Sequence, residues 1–76
     1  MKTVQIRLST IPEVQTFINT VSRFVSDVDL SSGKYRVDAK SIMGIFSLNL
    51  MQPITLTAEG EDEDKVIEAI SSLICE

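Results

Sequence analysis

Seventy-six residues, 43% of them apolar and 24% charged, suit one small folded domain over 1–76 and are too apolar for a disordered tail. A net charge of −4 argues against a nucleic-acid partner, which would need a basic surface. The chain has no histidine, so no imidazole can act as ligand, base or nucleophile, and its single cysteine cannot form an internal disulfide.

Met1-Lys2-Thr3-Val4-Gln5-Ile6 alternates polar and apolar residues and lacks the apolar stretch of a signal peptide. No run approaches the roughly 20 apolar residues needed for a membrane-spanning helix. The expectation is a cytoplasmic protein without membrane insertion, with Cys75 a reduced thiol beside Glu76 on a helix end.

In chain order, Thr3–Leu8 has period two and predicts a half-buried strand turning Val4, Ile6 and Leu8 inward. From Ile11 to Val25 the period becomes helical. Ile11, Val14, Ile18, Val21 and Val25 form one stripe, with Phe17 and Phe24 beside it. Val28 and Leu30, a turn at Ser31-Ser32-Gly33, then Tyr35 and Val37 predict a β-hairpin. A short helix is expected from Ser41 to about Leu48. Ile54–Ala58 alternates again as a fourth strand, Gly60 turns the chain, and Val66, Ile67, Ala69, Ile70, Leu73 and Ile74 describe a last amphipathic helix.

Charge is unevenly spread. Residues 1–58 carry six bases and four acids, whereas residues 59–76 set Lys65 against seven acids. The run Glu59-Gly60-Glu61-Asp62-Glu63-Asp64 reads as carboxylates gathered at a helix N-terminus, where the dipole favours them. It lacks the longer alternating pattern and distal glutamate of a calcium loop, so neither a metal nor a cofactor is expected.

The order β-α-β-β-α-β-α implies an α+β fold: a four-stranded antiparallel sheet covered on one face by three helices. Thr3, Gln5, Arg7, Thr55 and Thr57 would line the wet face. Phe24-Val25-Ser26-Asp27-Val28-Asp29-Leu30, Gly33-Lys34 and Val37-Asp38-Ala39-Lys40-Ser41-Ile42-Met43-Gly44 resemble the histidine-containing phosphocarrier protein (HPr) family of the sugar phosphotransferase system. The resemblance runs over essentially the whole chain and implies the open-faced β-sandwich of that family.

Members of this family accept a phosphoryl group on a histidine at the start of their first helix. Counted back from Ser41 without gaps, the family's Gly-hydrophobic-His-Ala-Arg-Pro motif falls on Leu8-Ser9-Thr10-Ile11-Pro12-Glu13. Thr10 then stands at the histidine's place and Pro12 at the arginine's. A threonine hydroxyl without a neighbouring base is a weak nucleophile, and its phosphate ester is too inert to pass the group on. The same residues have the T-x-x-E form of a capping box, with Pro12 inside the first turn.

The resemblance further implies that Ser41 matches the family's regulatory serine, phosphorylated by a dedicated kinase in many Gram-positive bacteria and linked there to catabolite repression. Serine is also a good helix N-cap, and a phosphate in that place would meet free amides and the positive helix end. Ile42, Met43 and Phe46, flanked by Lys40, are expected to form an apolar docking face, while Ile45 and Leu48 hold the short helix on the sheet.

Three functions follow. The first is a regulatory or adaptor protein without carrier activity, its partners a serine kinase, a transcriptional regulator or a phosphotransferase component. The second is an unphosphorylated interaction module, homodimeric in one form, that keeps only the fold. The third is a small enzyme, disfavoured because the sequence has no histidine, glycine-rich phosphate loop or cysteine–base pair.

Overall fold

A computed structural model describes residues 1–48 and 50–74. Strands β1 (Lys2–Ile6), β2 (Asp27–Ser32), β3 (Tyr35–Asp38) and β4 (Ile54–Glu59) form one sheet in the order β1-β4-β2-β3. All three pairings are antiparallel. Helices α1 (Ile11–Val21), α2 (Ile42–Phe46) and α3 (Glu63–Ala69) pack on one face, followed by a single 3-10 turn at Ser71–Leu73.

Register sorts the two faces. Val4, Leu56, Leu30 and Val37 stand in one cross-strand row and Ala58 and Val28 in the next. These rows meet Val14, Phe17 and Val21 of α1, Ile45 of α2 and Val66 of α3 in one buried cluster. The alternate rows, Thr3-Thr57-Asp29-Asp38 and Gln5-Thr55-Ser31-Arg36, carry the polar face. Thr3, Gln5 and Arg7 are exposed and Thr55 and Thr57 half-buried, as the two-residue period requires.

The sequence reading differs from the structure at element ends. The first strand stops at Ile6, yet Leu8 is fully buried beyond it, because Arg7 N–H donates to the Leu73 carbonyl at 3.0 Å and Ile6 bridges Ile74. The helix expected to reach Val25 ends at Val21. Ser22 caps it, and Val25 is 77% exposed in the following loop. Ile11 starts the stripe yet is 61% exposed. The hairpin turns at Gly33-Lys34, one step later than expected, with Ser31 and Ser32 paired in β2 and Gly33 at φ +61. That left-handed φ is the glycine requirement of the tight turn.

The last helix is also shorter than its apolar pattern suggested, ending at Ala69 before the 3-10 turn. The expected thiol at Cys75 lies outside the described residues. Among those described, no helix is long and apolar enough to cross a membrane.

Candidate functional site

Helix α1 begins with its own anion in place. Thr10 is extended and its hydroxyl accepts from Glu13 N–H at 3.2 Å, so it is the N-cap. The Glu13 carboxylate turns back, accepting from Ser9 N–H at 3.3 Å and from the Thr10 hydroxyl at 3.3 Å. The return bond of this capping box lands on Ser9, one residue before its usual target. Pro12 sits in the first turn, where a missing N–H costs nothing. The Ser9 amide is thus taken by a carboxylate and the Glu13 amide by the Thr10 hydroxyl, and a phosphate arriving here would meet the Glu13 charge.

Helix α2 begins differently. Ser41 is extended, and its hydroxyl accepts from Gly44 N–H at 3.4 Å, a long cap. The first turn contains no acidic residue. Ile45 is fully buried and Leu48 nearly so, pinning the five-residue helix that could not persist alone. Gly44 lets the helix approach β3, since a Cβ there would come 3.0 Å from Val37 Cβ. The opposite side carries Ile42 (39% exposed), Met43 (76%) and Phe46 (43%). The structure thus brings Ser41, Ile42, Met43 and Phe46 together at the surface of one short helix.

Lys40 lies beside Ile42, the two lining a shallow cavity with Gln15, Ile18 and Asn19 of α1. Its Nζ donates to the Phe24 carbonyl at 3.0 Å and the Ser26 carbonyl at 3.4 Å, in the loop between α1 and β2. The same loop is held from its amide side by Asp62. That carboxylate accepts from Val25 N–H at 3.1 Å, Ser26 N–H at 2.9 Å and the Ser26 hydroxyl, and Ser26 Oγ accepts in return from Asp62 N–H at 3.2 Å. Asp62 precedes α3 without capping it by its side chain. The acidic run therefore serves two ends: Glu63 and Asp64 fill the first turn of α3, while Asp62 grips a loop 36 residues away.

The Ser26 hydroxyl bond lowers the Asp62 pKa, partial burial opposes it, and the backbone amides add to the lowering, leaving the carboxyl below its ordinary range. Ser26 is buried, and Gly60, at φ +152, passes so close that an added Cβ would lie 2.5 Å from Ser26 Oγ. None of Ser26, Gly60 and Asp62 stood out as a joint feature in the sequence. Their contact is long-range, and no local pattern signals it.

The family model described as the PTS HPr component phosphorylation site matches residues 13–76. The chain belongs to the HPr family. That match begins at Glu13 and leaves Leu8–Pro12 outside it. The chain is similar to the HPr-like protein Crh of Bacillus subtilis, with 37% identity covering 96% of this chain and 92% of Crh.

Among solved structures it is similar to HPr-C-His from Thermoanaerobacter tengcongensis, with a TM-score of 0.83 and 38% identity over 97% of this chain and 91% of that one. It is also similar to B. subtilis Crh, described as a domain-swapped dimer, with a TM-score of 0.69 and 33% identity over 96% of this chain and 90% of that one. The open-faced HPr sandwich is thus the fold of this chain, as its sequence resemblance implied.

Proposed function

We propose that this chain is a regulatory HPr-like protein of the sugar phosphotransferase system that carries no phosphohistidine and acts through Ser41 and the apolar side of α2. The observation that carries the reading is the contrast between the two helix starts in a chain with no histidine. At Thr10 the Glu13 carboxylate folds back onto the cap hydroxyl and the Ser9 amide, whereas at Ser41 a hydroxyl caps a helix whose Ile42, Met43 and Phe46 are left exposed. A phosphate on Ser41 meets α2 amides and no first-turn carboxylate. Crh, an HPr-like protein named for catabolite repression, is a relative with which such a role agrees.

Incubation with enzyme I and phosphoenolpyruvate, read by intact mass, tests the first half. The expected result is no added mass, and Thr10→His recovers little, because Leu8, Pro12 and Glu13 remain. An acid-labile gain of about 80 Da, one phosphoryl group, overturns it.

A second reading is favoured by the dimeric structures of Crh and of a T. tengcongensis HPr: an unphosphorylated module that self-associates. Sedimentation of the wild type against Phe46→Ala separates the two. A dimer lost on Phe46→Ala supports the second reading, and a monomer at all concentrations supports the first.

A further inference from the structure

The Phe24–Ser26 loop is held between two opposite charges. Asp62 takes its amides, and Lys40 takes its carbonyls. The two grips are unequal. Asp62 makes three bonds to the loop, two of them from the buried Ser26, and exchanges a further bond with that serine through its own amide. Lys40 holds two neutral carbonyls at 3.0 and 3.4 Å, and no ion pair among the described residues includes it. Asp27, Asp29, Asp38 and Glu59 line a cavity with Lys40, but none of these carboxylates bonds its ammonium. An ammonium bonded to carbonyls alone is available to an acceptor that reaches it directly, since bonds between two ionised groups are about twice as strong as neutral ones. The next residue along the chain is Ser41.

We infer that Lys40 is a latch between Ser41 and the Phe24–Ser26 loop, released when Ser41 carries a phosphate. This rests on the reading of Ser41 as a phosphorylation site and adds what the modification does. A phosphate of roughly −1.5 to −2 charge on Ser41 has three acceptor oxygens, enough to take α2 amides and the neighbouring ammonium together. Lys40 can bond the phosphate or the two carbonyls, and the ion pair wins. The loop then stays tied through Asp62 at its amides and is free at its carbonyls. Val25, 77% exposed at the tip of that loop, is the side chain whose position the release changes. The modification is thereby felt at the α1–β2 connection as well as at α2, and the coupling is reciprocal: a partner that pulls the loop off Lys40 favours phosphate at Ser41.

The test uses the full chain with phosphoserine installed at position 41 during synthesis, so that it does not depend on any kinase accepting the protein. The 15N shifts of Val25 and Asp27 follow the carbonyls of Phe24 and Ser26. Phosphoserine is expected to move both, and unmodified Lys40→Met to move them in the same direction. In Lys40→Met carrying phosphoserine, the further movement is lost, whereas Lys40→Arg, which keeps a cation, retains it. Unmoved Val25 and Asp27 signals in the phosphorylated wild type overturn the latch, as does a phosphoserine-induced movement in Lys40→Met as large as that in the wild type. Failure of a serine kinase to modify Ser41 counts against the proposed function and leaves this result standing.

Discussion

Two helix starts in this protein are built from the same part and do opposite things. At α1 and at α2 a hydroxyl accepts from the amide three residues on. At α1 a glutamate three residues after the cap folds back and takes the Ser9 amide and the Thr10 hydroxyl with its carboxylate. At α2 the corresponding residue is Gly44, which offers no side chain and sits against Val37; the carboxylate beside this cap, Asp38, comes from the strand before it and accepts from Lys40 N–H at 2.8 Å. A capping residue by itself therefore says little about phosphate chemistry. What decides is the residue one turn later and the charge that it brings.

The largest expected effect concerns what holds α2 in place. Ile45→Ala should cost about 2–5 kcal/mol in urea melts, because it empties a fully buried site. Phe46→Ala should cost well under the roughly 3–5 kcal/mol of a core phenylalanine and should weaken association instead. Equal losses for the two would make α2 a core element and erase its difference from α1.

Caps come next. Ser41→Ala should destabilise by about 0.5–2 kcal/mol, and Ser41→Asp should be nearly neutral, since a carboxylate caps and meets no acid in the first turn. Thr10→Ala should cost about 1 kcal/mol, but Thr10→Asp should not recover it, because Glu13 Oε1 is already 3.3 Å from the Thr10 hydroxyl. Matching responses to aspartate at the two caps would remove the electrostatic contrast.

The smallest effect is on the acid limb. Asp62 has a lowered folded-state pKa, so its contribution to stability is present above the ordinary carboxylate range near about 3.9 and is lost as pH falls through the depressed value. Asp62→Asn should flatten the melting-temperature profile below pH about 4. An unchanged profile for Asp62→Asn would show that the carboxylate does not hold the Phe24–Ser26 loop in solution.

Much of this was legible because it is local. The change of period between Leu8 and Ile11, the T-x-x-E box at Thr10 and the inward placement of Ile45 and Leu48 each follow from spacing within one element. Element ends were less so. The helical stripe ran on to Val25, but a loop occupies Ser22–Ser26, fixed by Asp62 and Lys40 from distant parts of the chain. The direction of Lys40 was hidden for the same reason. Its place beside Ile42 could be read from the sequence, but only the folded chain brings the Phe24 and Ser26 carbonyls to its ammonium.

The central claim is that phosphate belongs at the second helix start and not the first. Treating the protein with ATP and a serine kinase that modifies HPr, then mapping the product by mass spectrometry, tests it most directly. The account predicts one acid-stable gain of about 80 Da at Ser41, absent from Ser41→Ala. No gain, or a gain that persists in Ser41→Ala, would contradict it.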